Sequence, residues 1–213
     1  MPALDFKKQY KDLYLPGTEP GLVEVPKMTF IMVDGSGGPH SSDYAAAVEI
    51  LYGLSYAIKM SAKGPDKPEG YIEYVVPPLE GLWWAPGDDT GESVTTLDVD
   101  GLAWVAMIRQ PEFVTQSVYD WAVAATAKKK PGANYGLARL EEFEEGLCAQ
   151  VMHVGGYDQE TGTVARLDEF IAASGHRTDM GGLRQHHEIY LSDPRRTSPE
   201  KMKTVLRHPV APA

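Results

Sequence analysis

Gln150-Val151-Met152-His153-Val154-Gly155-Gly156 echoes Phe30-Ile31-Met32-Val33 with Gly37-Gly38 behind it. Each stretch is a short apolar run of strand type, closed by a glycine pair and followed by a helical pattern. After the first, Ser41 or Ser42 can cap a helix whose apolar positions Ala47, Leu51, Leu54 and Ile58 fall on one stripe. Gly64-Pro65 ends it. After the second, Val164, Leu167 and Ile171 share a stripe and Gly175 stands as the C-cap. Each helix leads on to strands. Tyr71–Val76, broken by Pro77-Pro78, then Leu82–Ala85 and Leu102–Gln110 follow the first, and His186–Leu191 follows the second. The spacing is too long for a solenoid array, so the echo is a duplication. Two such units side by side predict an α+β fold with a shared sheet, both helices on one face and a concave ligand cleft on the other.

The remaining segments are read around this frame. Residues 1–28 carry Pro2, Pro16, Gly17, Pro20, Gly21 and Pro26 and read as an arm with a short helical turn at Phe6–Leu15. They leave too little room for a helix-turn-helix domain ahead of the main domain at 29–213. The Asp/Gly/Thr-rich stretch 87–100 reads as a loop or hairpin extension. Val118, Trp121 and Ala125 mark a short helix, ended by Pro131-Gly132. Glu141, Glu142, Glu144 and Glu145 read as a solvated acidic connection. Ser198-Pro199 starts a last helical segment.

Composition narrows the function classes. A net charge of −10 and a pI near 5.0 argue against a non-specific nucleic-acid binder, which needs a basic footprint. The dense basic run, Lys128-Lys129-Lys130, ends a helix, where cations suit the dipole. The single cysteine, Cys148, leaves no intramolecular disulfide and no CxxC pair, and reads as a small buried hydrophobe. No signal peptide and no membrane-spanning apolar run are visible, which makes the cytoplasm the default location.

His186-His187-Glu188-Ile189-Tyr190-Leu191 carries the chemistry. Its alternation predicts a half-buried strand with His186, Glu188 and Tyr190 on one face and Ile189 and Leu191 on the other. A core position would bury a carboxylate, which is costly unless it is paired. An exposed edge strand is the competing reading. A metal site at His186-His187-Glu188 is not expected, because neighbouring strand residues point apart, and no cofactor motif is present. Asp34-Gly35-Ser36-Gly37-Gly38 lacks the P-loop ending, the dinucleotide spacing and the GxSxG elbow, so it reads as a tight turn. Trp83 and Trp84 cannot both face one side of a strand. One of them, with Trp104 and Tyr74, is expected to line the cleft with Glu188. His153, beside Gly155-Gly156, is either a hydrogen-bonded structural histidine or a ligand contact.

These residues resemble the GyrI-like small-molecule-binding family over about residues 25–210. The resemblance rests on Phe30–Gly38, on Trp83-Trp84, and on Val151–Tyr157 with Glu160. Its most specific part is His187–Arg196 with Pro199-Glu200-Lys201 behind it. It implies two strand–helix–strand–strand units forming an antiparallel sheet around a cleft. It also implies a functional glutamate on the last such strand, here Glu188, with Tyr190 two residues on. The ending is similar to that of a stand-alone branch implicated in hydrolysing cyclopropanoid electrophiles. On that reading Glu188 activates a water, Tyr190 or Tyr74 hydrogen-bonds the substrate carbonyl, and the tryptophans stack the flat substrate. Two other readings use the same surface. One is non-catalytic sequestration of lipophilic cations by aromatic faces and a carboxylate. The other is a gyrase-inhibitor-like interaction protein, which would need a large exposed apolar patch. The expected partner is a small aromatic or cationic organic molecule, with no nucleic acid and no membrane.

Overall fold

A computed structural model describes residues 3–87 and 99–213. Residues 88–98, most of the connection expected at 87–100, lie outside the described residues. In chain order the elements are α1 (Phe6–Gln9), α2 (Lys11–Tyr14), β1 (Gly21–Val25), β2 (Met28–Ser36), α3 (Ser42–Met60), β3 (Leu79–Trp84) and β4 (Ala103–Arg109). There follow α4 (Gln116–Lys129), β5 (Ala138–Phe143), β6 (Gly146–Val154), α5 (Thr161–Ala173), β7 (His176–Thr178), β8 (His186–Tyr190) and β9 (Lys203–Pro212). The strands form one sheet in the order β1-β6-β9-β8-β3-β4-β2-β5, with β7 paired to β9. Every ladder between named strands is antiparallel.

The inner six strands read as a palindrome. β2-α3-β3-β4 and β6-α5-β8-β9 are the two copies of a strand–helix–strand–strand unit, and they meet where β3 pairs with β8. α3 begins where expected: Ser41 Oγ accepts from the Tyr44 amide at 3.2 Å, satisfying one of the free donors of the first turn. Its stripe Ala47, Leu51, Leu54 and Ile58 packs on Ile31, Val33, Trp104, Ala106 and Ile108. Val164, Leu167 and Ile171 of α5 pack on Ala149, Val151 and Leu206, and Gly175 closes that helix at φ +76°.

The face opposite the helices is not an open hollow. Phe30, Met32, Leu82, Val105, Met107, Met152, Ile189 and Val205 line it, and Phe6, Leu13, Tyr14 and Tyr74 cover it. The arm is therefore a lid of the second core, and its β1 adds an edge strand to β6. The reason is apolar supply. Both faces of the central strands are hydrophobic, so both must be covered.

Other expectations are corrected by the structure. Tyr71–Val76 forms no strand of the sheet; it runs beside the arm through a single bridge between Leu4 and Tyr74. The buried positions of α4 are Tyr119, Ala122 and Thr126, offset from Val118, Trp121 and Ala125. Ser198-Pro199 opens only a three-residue turn at Pro199–Lys201, and the segment after it is the long strand β9. β9 is buried on both faces, so it shows no clean alternation.

Glu145 departs furthest from expectation. It is not solvated but 1% exposed, and it belongs to a buried polar cluster on the arm side of the sheet. His187 lies between two carboxylates, with Nδ1 3.0 Å from Glu145 and Nε2 3.0 Å from Glu80. Arg207 donates to Glu145 at 3.1 Å, to Gln150 at 3.0 Å and to the Leu13 carbonyl at 2.8 Å. Tyr14 completes the set by donating to Glu80 at 3.3 Å. With His187 doubly protonated, two cations balance two carboxylates. Burial alone would raise the Glu145 pKa, but the charges of His187 and Arg207 outweigh it and hold the carboxyl down at about 2. Burial likewise opposes a charge on His187, yet the neighbouring glutamates raise its pKa.

Two stability predictions follow from these contacts. A Cβ on Gly35 would stand 2.2 Å from the Trp104 ring, so Gly35→Ala should lower stability by about 1–3 kcal/mol in chemical denaturation and shift tryptophan fluorescence. Glu145→Gln strands the cations and should cost about 3–5 kcal/mol. The Glu145 pKa is depressed on folding, so its contribution is present above the unfolded value of 4.5 and is lost as pH falls through about 2. An acid titration of stability should therefore lose that component in Glu145→Gln; an unchanged acid limb would remove Glu145 from this role.

Candidate functional site

The pleat of β8 divides its side chains. His187 and Ile189 enter the arm-side core, while His186, Glu188 and Tyr190 point to the helix-bearing face. Glu188 lies at the seam between the two units, with Gly81 of β3 opposite it on one side and Leu206 of β9 on the other. The site expected on the face away from the helices is thus on the same face as α3 and α5. The sheet that carries it is flanked by their two separate cores.

Gly81 makes room for the seam. A Cβ there would sit 2.7 Å from Trp83 Nε1 and 3.1 Å from the Tyr190 hydroxyl. Without it, the indole N–H of Trp83 donates to the Tyr190 oxygen at 2.9 Å. Tyr44 of α3 packs on Trp83 at 5.1 Å between centroids and edge-on to Trp104 at 5.0 Å. Tyr157 stands edge-on to Tyr190 at 5.9 Å, and is the exposed aromatic of the group. Burial pushes the phenols of Tyr44 and Tyr190 above their ordinary value and Tyr157 up to about 12, and the Glu188 charge adds to each. All three are neutral hydrogen-bonding groups.

A second carboxyl group faces the seam. Glu160 stands immediately before α5 and is 7% exposed. The Thr204 hydroxyl lies beside it, but neither Glu160 Oε1 nor Thr204 Oγ1 has a well-formed hydrogen bond. A carboxylate at a helix start is normally favoured by the dipole. Here burial, and then the charge of Glu188, push the Glu160 pKa well above the carboxylate range. Glu160 therefore keeps its proton at neutral pH, a carboxylic acid within the field of Glu188.

Glu188 also heads a chain of hydrogen-bonded rings. Its Oε1 is 3.2 Å from His186 Nε2. His186 Nδ1 is 2.8 Å from His208 Nε2, and His208 Nδ1 is 3.1 Å from Asp168 of α5. Burial lowers the His208 pKa, and its contact with Asp168 offsets this only in part.

Of the residues expected at the site, Glu188, Tyr190, His186 and Trp83 are brought together. Trp104 is one ring further, 1% exposed, between Tyr44 and Gly35, and Trp83 itself is only 3% exposed. Neither indole presents a free face. His153 is occupied within the turn before α5, with Nε2 3.1 Å from the Gly156 carbonyl and Nδ1 2.8 Å from Thr163 Oγ1. The carbonyl can only accept, so Nε2 carries the proton. Trp84 and Tyr74 pack in the arm-side cluster, away from Glu188. Sequence reasoning missed Tyr44, Tyr157, Glu160, His208 and Asp168 as site residues. Tyr44 had a signal, since it precedes Ala47 on the same helical stripe. His208 had none once its strand was taken for a helix. Among the described residues no group of three or more His, Cys, Asp or Glu side chains could hold a metal ion, and no helix is long and apolar enough to cross a membrane.

Known structures share this architecture. A hydrolase from Listeria innocua is 46% identical, with 98% of this chain and all of that one covered and a TM-score of 0.88. An uncharacterized conserved protein from Listeria innocua is also 46% identical over 98% and 100% of the two chains, with a TM-score of 0.90. The C-terminal domain of EcmrR, 11% identical over 92% of this chain and 98% of that one, shares the fold at a TM-score of 0.57. No curated protein matches the chain. The profile of the GyrI-like small molecule binding domain matches residues 18–211, and the chain belongs to that family.

Proposed function

We propose that this protein is a hydrolase that opens the strained ring of cyclopropanoid-type electrophiles, with Glu188 as general base. The observation that carries the reading is the Glu188–Glu160 pair, an acid and a base held together at the seam among neutral phenols. The name of the Listeria hydrolase, at 46% identity over the full length, supports the reaction class. The substrate class rests on the family resemblance of the His187–Arg196 segment.

The ligand is taken on the helix-bearing face, where Tyr157 supplies the accessible aromatic surface. Glu188 removes a proton from water as the water oxygen bonds to a ring carbon. The ring C–C bond breaks, and its electron pair moves through the conjugated system to the substrate carbonyl oxygen. Glu160, neutral at rest, gives that oxygen its proton. One water has then been added overall, its hydroxyl on the ring carbon and its hydrogen on the former carbonyl oxygen. The proton gained by Glu188 passes to Glu160, and the pair is restored. Tyr190, held by Trp83, keeps Glu188 oriented.

Incubation with an activated spirocyclopropane, followed by chromatography for the ring-opened alcohol, tests this directly. Glu188→Gln should lower turnover by roughly 100- to 10,000-fold, the usual worth of a positioned base, and leave binding of a neutral substrate little changed. Glu160 acts as an acid only while protonated, so wild-type turnover should decline as pH rises through its elevated pKa. Glu160→Gln should abolish that decline and lower the plateau. Sequestration of lipophilic cations predicts another pattern: no alcohol from the parent protein, and a large loss of cation affinity in Glu188→Gln. Undiminished hydrolysis in Glu188→Gln would remove Glu188 from the mechanism.

A further inference from the structure

The Glu188 side chain ends, through two buried imidazoles, at a carboxylate on the protein surface. His186 and His208 are 2% and 3% exposed, whereas the Asp168 side chain is 51% exposed. We propose that His186, His208 and Asp168 are positioning residues, a continuous hydrogen-bonded chain that sets the tautomer facing Glu188 and links it to a half-exposed carboxylate on α5.

Donor counting from the surface end gives the chain a direction. The Asp168 carboxylate can only accept, so His208 Nδ1 carries the hydrogen at their 3.1 Å contact. Burial keeps His208 from taking a second proton, which leaves its Nε2 as an acceptor. The 2.8 Å contact is then filled by a hydrogen on His186 Nδ1. His186 Nε2 is left with a lone pair facing Glu188 Oε1 at 3.2 Å. The Glu188 carboxylate also only accepts, so two neutral rings carry two hydrogens for three contacts, and any hydrogen that shifts at one contact shifts the others. No heavy atom need move for the hydrogens to shift along the chain.

Other charges bear on the same groups. Glu188 is faced by Glu160 and Tyr157 from the segment before α5, by Tyr44 from α3, and by Tyr190 on its own strand. His208 is faced by Asp168, by His186 and, from the arm side, by Glu145. Asp168 is the partner on the solvent side, which makes it the place to interrupt the chain without opening the core.

The role of the chain in turnover rests on the hydrolase reading; its continuity does not. Nitrogen NMR of the histidine rings in the full-length protein tests continuity. Asp168→Ala should fold, because the position is half-exposed and alanine favours helix. It does not touch His186, yet it should change the protonation pattern of the His186 nitrogens. Glu188→Gln, read from the other end, should move the His208 nitrogens. Changes confined to the ring beside each substitution would overturn the proposal. In turnover of the activated spirocyclopropane, Asp168→Ala should lower kcat and leave KM little changed. A wild-type protein that opens no ring would overturn the hydrolase reading, and the ring spectra would still decide the chain.

Discussion

The register between β3 and β8 is the constraint on which the rest depends. It joins the two copies of the repeated unit, and it sets Glu188 opposite Gly81. Every side chain of β8 has a committed destination: His187 and Ile189 to the arm-side core, His186, Glu188 and Tyr190 to the seam. A slip of one residue would drive His186 and Glu188 into a space built for His187, and would leave Glu80 and Glu145 without their shared partner. The alternation visible in five residues thus serves two unrelated polar systems, one on each side of the sheet.

Those systems treat charge differently. On the arm side, two carboxylates are matched by an imidazole and a guanidinium, and the carboxyl of Glu145 is held far down. At the seam, Glu188 has a second carboxyl for a neighbour, and the conflict is relieved by keeping a proton. The first arrangement suits permanence, because neither partner can leave without exposing an unpaired buried charge. The second suits chemistry, because a proton held by competition moves with small changes in its surroundings.

The duplication was legible because glycine pairs and helical stripes punctuate it at matching places in both copies. Glu188, Tyr190 and His186 were legible because β8 is short and alternates. The face they look toward was not, since it depends on what covers the other side, and the arm that does so carries mostly turn residues. Glu145 sits among Glu141, Glu142 and Glu144, and nothing local distinguishes the one glutamate that meets Arg207 and His187 from its solvated neighbours. His208 and Asp168 escaped for a related reason. They come together only when β9 lies beneath α5, and a strand buried on both faces gives no alternation to read.

The arm has a consequence for the order of assembly. Its backbone carbonyls at Asp12 and Leu13 receive hydrogen bonds from Gln150 and Arg207, and the rings of Phe6 and Tyr10 clamp the Arg109 guanidinium. Leu13 and Arg207 are 194 residues apart in sequence. Residues 6–14 leave the ribosome before any of these partners, yet they have nothing to dock on until β4, β6 and β9 are in the sheet. The arm is therefore made before the partners that fasten it. Contacts of such long range close slowly, and until this one forms, the arm-side core lacks the cover of Phe6, Leu13 and Tyr14.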